Sequence, residues 1–432
     1  MSRNPQITQR NIESIFKIYD ELNSDMSHKT SGDDICTPME CVKTMLDYIP
    51  QDFWERENLK ILDPCCGNGN FGAYCQFKTD LDNIYFNDTN PTRTANCKKI
   101  LNPKNLTNYD IFGLEFAMNV ESRINTESNS SAESSLNTES RTNAESAESW
   151  DLIMANPPYS GGGNKNKSLS NKFIEFAIDR LKKGGYLCFV TPNNWQTFNN
   201  SNTTLKKLLT QGSFVVLDYD VKRFFKKVGS SFVIFIWQKG VFGKTKIFNN
   251  YLLKDIQTDI LIPKNLPFIP LYISQITLNL VEKLIQKDNN RFHYRCDLHN
   301  FTKKEFLSDF QSEIFRYKTI HTPLKTRFAK IKQDIYDKWL IIIPLSTYYV
   351  PYIAHNANTT QSVGYFSFDT KVEAEAYLEI ITQDYFKALI HITRYGNFNN
   401  IMVLKHLRFD DVPDLTSEEK GEIEKLRATI KY

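Results

Sequence analysis

No stretch of this chain holds the roughly 18 consecutive apolar residues that a membrane-spanning helix needs. The opening Met1-Ser2-Arg3-Asn4-Pro5-Gln6 also lacks the apolar core of a secretory signal, so a soluble, cytoplasmic protein is expected. The eight cysteines (36, 41, 65, 66, 75, 97, 188 and 296) show no Cys-x-x-Cys pair with histidine partners. That pattern indicates neither a zinc site nor a disulfide framework, calls for no metal, and suits a reducing compartment. A nuclease-like carboxylate cluster is missing as well: Pro413-Asp414, followed by Glu418-Glu419-Lys420, reads as the N-cap of a terminal helix. A formal net charge of +3 is too small to announce nucleic-acid binding by itself. With 432 residues, 41% of them hydrophobic, the chain can build two domains with substantial cores.

What the chain does contain is Asn156-Pro157-Pro158-Tyr159, directly after the apolar run Leu152-Ile153-Met154-Ala155. An exocyclic amino group such as that of adenine is a poor nucleophile, because its lone pair is delocalised into the ring. Two fixed acceptors can draw it out of conjugation. The Asn156 side-chain oxygen and the Pro157 carbonyl, in a loop stiffened by Pro157 and Pro158, can each accept one amino hydrogen. Tyr159 adds a π-face against which a base can lie. The same string is also compatible with a tight turn that carries no chemistry.

Upstream, the strand-like Leu59-Lys60-Ile61-Leu62 runs into Asp63-Pro64-Cys65-Cys66-Gly67-Asn68-Gly69. Gly67 and Gly69 let the backbone approach a bound nucleoside, and a carboxylate at Asp63 can hold an ammonium group while repelling a pyrophosphate. The third glycine of the dinucleotide fingerprint is missing, so S-adenosylmethionine fits better than NAD. Cys65 and Cys66 read as small loop residues, which disfavours cytosine-ring methylation, a reaction that needs a nucleophilic cysteine after a proline. The next strand, Ile84-Tyr85-Phe86-Asn87, ends in Asp88, where an acidic side chain reaches ribose hydroxyls, with Asn87 as a competitor. Asp110, in Asn108-Tyr109-Asp110-Ile111-Phe112, suits the cofactor's adenine amino group. Either aspartate also serves as an ordinary turn former. In an open α/β sheet the polar strand ends at 63, 88, 110 and 156 all converge on one edge, where ligands bind.

On these motifs the chain resembles the gamma-class adenine-specific DNA methyltransferases of restriction-modification systems. The resemblance adds Thr37-Pro38, matching that family's N-terminal cofactor-binding motif, and the order of motifs, with Thr-Pro first and the recognition region last. It continues through a helix over 173–181, a strand over 184–193, and Phe224 to Phe235. There an aromatic residue stacks on the flipped base in the family; Phe225 is the better match and Phe224 the fallback, with core packing open for both. The resemblance implies a doubly wound Rossmann-like S-adenosylmethionine-dependent methyltransferase domain over 34–240, after an N-terminal helical extension over 1–33. A mixed α/β target-recognition domain over 241–432 would follow. Thr37, Pro38, Asp63, Gly67, Gly69, Asp88 and Asp110 would bind the cofactor, and Asn156 to Tyr159 would act on an adenine in double-stranded DNA. The protein would act as a monomer, with a separate cognate restriction endonuclease as a possible partner.

Residues 119–149 depart from this pattern, being almost wholly Ser, Asn, Thr, Glu and Ala, with Asn-Thr-Glu-Ser at 125–128 and again at 137–140. So little apolar surface cannot offset ordering entropy, and a disordered spacer is expected. Basic side chains cluster beside aromatics at Lys222, Arg223, Lys226 and Lys227, and at Arg316, Lys318, Lys325, Arg327, Lys330 and Lys332. Both clusters suit phosphate contact, or else form a solvated basic face. Arg394 and Asn397, in Thr393-Arg394-Tyr395-Gly396-Asn397, suit reading of base edges, or else a structural turn. Helices are expected over 273–286 and 372–382, and strands over 339–344 and 363–368. Two other readings share the planar-nitrogen chemistry or drop it: methylation of a protein glutamine or an RNA base amino group, and a decayed methyltransferase that only binds DNA.

Overall fold

The apolar runs that precede each polar strand end become the central strands of one large sheet. This is seen in a computed structural model that describes residues 9–24, 35–113, 150–159, 168–199, 201–225, 231–250, 253–286, 291–295, 303, 305–395 and 398–430. The chain divides into two units, the first built from 1–195, 203–249 and 254–265. Its strands are β1 (Ile61–Asp63), β2 (Ile84–Asn87), β3 (Asn105–Thr107), β4 (Trp150–Ala155), β5 (Leu181–Pro192), β6 (Gly212–Asp218), β7 (Phe232–Lys239), β8 (Thr245–Phe248) and β9 (Gln257–Ile260). They lie in the order β3-β2-β1-β4-β5-β7-β6-β8-β9. From β3 to β5 the pairing is parallel, and β7 runs antiparallel to both β5 and β6. Parallel strands need cover on both faces, which is why β1 and β4 are nearly continuous apolar sequence and buried almost throughout. The strand order reverses between β1 and β4, and their register, Ile61 with Leu152 and Leu62 with Ile153, brings Asp63 and Asn156 to the same sheet edge.

Helices α1 (Gln9–Ser24), α2 (Met39–Asp47), α3 (Asn70–Cys75), α4 (Pro91–Leu101), α5 (Leu169–Arg180) and α6 (Thr203–Gln211) belong to this unit. In α1, Ile12, Ile15, Phe16, Tyr19 and Leu22 fall at helical spacing and pack on the core that also holds Met39, Val42, Met45 and Leu46 of α2. The helix expected over 173–181 therefore starts earlier, at Leu169, and the strand expected from 184 starts at Leu181. A larger difference lies after 240. β8 runs parallel to β6, pairing Val216 with Lys246 and Asp218 with Phe248, and β9 pairs with β8. Residues 241–249 and 254–265, assigned from sequence to the second domain, thus complete the first unit's sheet, since β6 needs an outer partner for its edge.

The second unit comprises 196–202, 250–253 and 266–432. Its strands are β10 (Leu307–Ser308), β11 (Tyr317–Thr322), β12 (Lys325–Ala329), β13 (Trp339–Pro344), β14 (Tyr352–His355), β15 (Asn358–Thr359) and β16 (Val363–Phe368), in two sheets ordered β10-β12-β11-β15 and β14-β13-β16. β13 and β16 have the expected bounds. Helices α7 (Gln275–Leu284), α8 (Lys371–Ile381), α9 (Asp384–His391), α10 (Ile401–His406) and α11 (Ser417–Arg427) complete it. Capping boxes at Ser274/Thr277 and Thr370/Glu373 fix where α7 and α8 begin. The terminal helix is capped by Thr416 with Glu419 rather than by Asp414, because only Thr416 stands three residues before a carboxylate that can reach back to its amide. Among the described residues no helix is long and apolar enough to cross a membrane. The low-complexity segment 119–149 lies outside them.

Candidate functional site

Where β1 ends, the chain turns through Gly67 and Gly69 with φ of +55° and +92°, a region that side-chain-bearing residues avoid. At Gly69 a Cβ would come within 2.8 Å of the Cys97 sulfur, so this turn is closed to any other residue. Asp63, the last residue of β1, is fully buried, and among the described residues no side chain hydrogen-bonds to its carboxylate. Burial, reinforced by the charge of Asp88, pushes its pKa well above the usual carboxylate range, with only the Cys65 backbone amide pulling the other way. A cation brought beside it would favour its ionised form. The donor set therefore fits the ammonium of S-adenosylmethionine.

Asp88 accepts from the Gly67 amide and the Asn90 amide, both at 2.8 Å, and is half-buried at the end of β2. It thus links the glycine turn to the start of α4. Asn87 does not compete for a ligand. It is buried, donates to the carbonyls of Pro64 (3.3 Å) and Tyr109 (3.0 Å), and accepts from the Thr107 hydroxyl (2.9 Å) and the Tyr109 amide (3.0 Å). All its polar capacity ties the ends of β1, β2 and β3 together. Asp110 is exposed after β3, one oxygen accepting from the Phe112 amide at 3.0 Å, and Phe112 stands 45% exposed beside it.

Asn156 follows β4. Its side-chain nitrogen donates to the Ile35 carbonyl and to the Thr37 hydroxyl oxygen, each at 3.0 Å, which turns its oxygen the other way, where it accepts from the Tyr159 hydroxyl at 2.7 Å. The Pro157 carbonyl accepts no hydrogen bond among the described residues. Two acceptors, Asn156 Oδ1 and Pro157 O, are therefore presented by one short loop. The Cys65 thiol donates to the Asn156 carbonyl at 3.8 Å, joining this loop to the glycine turn. Thr37, expected to touch the cofactor, is buried and engaged with Asn156. Pro38 caps α2 through its carbonyl, which accepts from Cys41 and Val42.

The aromatic residues separate. Tyr159 packs edge-on against Phe232 with ring centroids 4.9 Å apart. Phe225, expected to stack on a base, is 6% exposed within the core, because Val221 begins a tight turn that folds it inward. Phe224 is half-buried, with the Arg223 guanidinium 4.5 Å above its ring. Beneath this turn lies a cluster that the sequence reading missed. The carboxylate of Asp218, fully buried at the end of β6, meets Arg223 at 2.7 Å, the Tyr48 hydroxyl at 2.7 Å and the Asn249 amide at 2.9 Å. Its signal was available: Asp218 ends an apolar strand just as 63, 88 and 156 follow theirs.

Of the residues expected to contact DNA, Lys226, Lys227 and Asn397 lie outside the described residues. Arg316 and Lys318 are exposed on and beside β11 and make no ion pair among the described residues. Lys325 and Arg327 of β12 both pair with Asp309, at 3.1 and 2.8 Å. Arg394 donates to Thr347 O and Asn399 Oδ1 and lies over the Tyr348 ring, so its guanidinium holds a turn together.

Comparison with protein families matches residues 71–225 to the Eco57I restriction-modification methylase family, about a third of the chain. The matched segment contains Asp88, Asp110 and Asn156 to Tyr159, and begins after the glycine turn. The match supports a methyltransferase of a restriction-modification system. No curated protein matches. Among solved structures, a nuclease-deletion mutant of the type ISP restriction-modification enzyme LlaGI, in complex with a DNA substrate mimic, is 13% identical with a TM-score of 0.52. The alignment covers 96% of this chain and 56% of that one. A Listeria monocytogenes protein assigned to the class I S-adenosylmethionine-dependent methyltransferases aligns at 18% identity and TM-score 0.37, over 53% of this chain and 68% of that one. A type I restriction-modification methyltransferase subunit from Streptococcus thermophilus aligns at 12% identity and TM-score 0.37, over 57% and 53% of the two chains. At these identities the likeness is one of fold, and this chain spans little more than half the length of LlaGI.

Proposed function

We propose that this chain is a site-specific DNA methyltransferase that moves a methyl group from S-adenosylmethionine to the exocyclic amino group of an adenine flipped out of double-stranded DNA. The observation that carries the reading is the Asn156–Tyr159 loop: two acceptors, Asn156 Oδ1 and Pro157 O, at the sheet edge that also holds the buried carboxylate of Asp63. S-adenosylmethionine, held by Asp63, the glycine turn, Asp88 and Asp110, would supply an electrophilic methyl group. Asn156 and Pro157 would each accept one amino hydrogen, so that the nitrogen lone pair leaves the ring and points at the donor. Tyr159 would lie against the base, with Phe224, the more accessible of the two neighbouring phenylalanines, on the turn beside it. Flipping costs a few kcal/mol, which stacking and phosphate contacts from residues such as Arg316 and Lys318 would offset. No shifted general base is needed, since the nitrogen becomes acidic only once it is methylated. The match to the restriction-modification methylase family favours the modification component of such a system, and LlaGI's DNA complex favours DNA as the partner.

The test is methyl transfer from labelled S-adenosylmethionine to unmethylated genomic DNA, with ribosomal RNA and a translation release factor as parallel substrates. N6-methyladenine in one short recurrent sequence is the expected outcome, with Asn156→Ala abolishing turnover and leaving cofactor affinity within about twofold. Label confined to RNA or protein, or near-normal turnover in the variant, refutes the reading.

A further inference from the structure

We propose that Thr37 is a positioning residue for the transfer step: together with the Ile35 carbonyl it occupies both amide hydrogens of Asn156 and so fixes the side-chain oxygen as the atom offered to the substrate. The inference rests on the role given to Asn156 above. An asparagine amide has nearly the same shape with its oxygen and nitrogen exchanged, and only one orientation can work here. Flipped, it would present two N–H donors to an amino group that is itself a donor.

The Ile35 carbonyl, 3.0 Å from the nitrogen, carries no proton and would repel an oxygen placed there. The Thr37 hydroxyl, also at 3.0 Å, accepts the second hydrogen and removes the freedom to rotate about it. On the opposite side the Tyr159 hydroxyl donates to the oxygen at 2.7 Å; a hydroxyl can donate or accept, so it follows the orientation that the Ile35 carbonyl sets. The clamp is itself held. Asn70, the first residue of α3 after the glycine turn, donates to the Thr37 carbonyl at 2.7 Å, and the following Pro38 carbonyl caps α2. Hydrogen bonds thus run from the cofactor turn through Asn70 and Thr37 to Asn156. Thr37 is buried, 5% exposed, and acts through Asn156.

The experiment uses the full chain on the DNA sequence it modifies, comparing Thr37→Val, which keeps the shape and removes the acceptor, with Thr37→Ser, which keeps the hydroxyl. kcat, KM for DNA and S-adenosylmethionine affinity by calorimetry are measured for each, with melting temperature as a control. Thr37→Val is expected to lower kcat by roughly 10-fold, the scale of one lost hydrogen bond at a reacting centre, with cofactor affinity within about twofold. Thr37→Ser should return kcat to within about threefold of the parent. An unchanged kcat in Thr37→Val, or a loss confined to cofactor affinity, overturns the proposal, the second result making Thr37 a cofactor ligand. If Thr37→Val fails to fold, the parent protein decides the matter through hydrogen exchange of the Asn156 side-chain amide, assigned by its disappearance in Asn156→Ala. Protection of both hydrogens supports the clamp, and exchange as fast as that of an exposed asparagine overturns it. A parent protein that methylates no DNA refutes the function above, whereas amide exchange reports on the clamp alone.

Discussion

Replacing Asp63 with asparagine should stabilise the cofactor-free protein while removing its ability to hold the cofactor. The carboxylate is fully buried with no side-chain hydrogen-bond partner among the described residues, and burial together with the charge of Asp88 raises its pKa. Folding therefore leaves Asp63 protonated at pH values where the unfolded chain, with a pKa of about 4, has already lost the proton. In that window the folded state binds more protons, so the stability that Asp63 contributes is present below the unfolded pKa and is lost as pH rises through the folded one. An unpartnered buried polar group costs about 1–3 kcal/mol, and a charged one more. Asparagine keeps the shape without the charge, so a gain of about 2 kcal/mol is expected at mildly alkaline pH. In a unit of this size that corresponds to roughly 4–8 °C in melting temperature. Melts of parent and variant from about pH 5 to about pH 8 should diverge, the parent falling and Asp63→Asn staying flatter. S-adenosylmethionine should raise the melting temperature of the parent only, the variant having lost a charge-assisted contact and on the order of 100-fold in affinity. A variant less stable than the parent at the alkaline end, or one that still binds the cofactor normally, refutes the argument.

Two further changes probe parts of the molecule away from the reacting centre. Arg223→Ala leaves the buried Asp218 carboxylate with the Tyr48 hydroxyl, the Asn249 amide and the Asp220 amide. Because Arg223 is 32% exposed, the loss should be roughly 2 kcal/mol, below that of a fully buried pair, and be read as a lower denaturant midpoint at unchanged slope; no shift would mean the other three donors suffice. Joint replacement of Arg316 and Lys318 by alanine should weaken DNA binding and reduce the slope of log affinity against log salt by about 2, since each phosphate contact contributes about 0.9. An unchanged slope would place the DNA contacts elsewhere.

The central strands and their polar ends were legible because they are local patterns. A short apolar run closed by Asp, Asn or Asn-Pro-Pro-Tyr predicts a buried parallel strand, and β1, β2 and β4 are such strands. Helix starts in the second unit differ by one or two residues from the sequence expectation where capping side chains, rather than apolar spacing, decide the boundary. Residues 241–265 read as the start of a new domain, because nothing local distinguishes an added edge strand from the first strand of another sheet.

The sequence by itself determined the chemistry on offer: an Asn-Pro-Pro-Tyr loop, a glycine turn behind an aspartate, and the order in which they occur. Tertiary structure decided which of these groups remain to do that chemistry. It turned Asn87 inward to join three strand ends and left Asp88 half-exposed beside it, a choice that alternation along a four-residue strand cannot settle. It buried Phe225, left Phe224 more open, and drew Arg394 into a turn. Above all it brought Thr37 to Asn156 across 119 positions of chain, so that the Thr37 hydroxyl accepts from the Asn156 side-chain amide. Such pairings depend on how the sheet and its helices close on one another, and no spacing within a segment encodes the distance between two segments that meet only when folded.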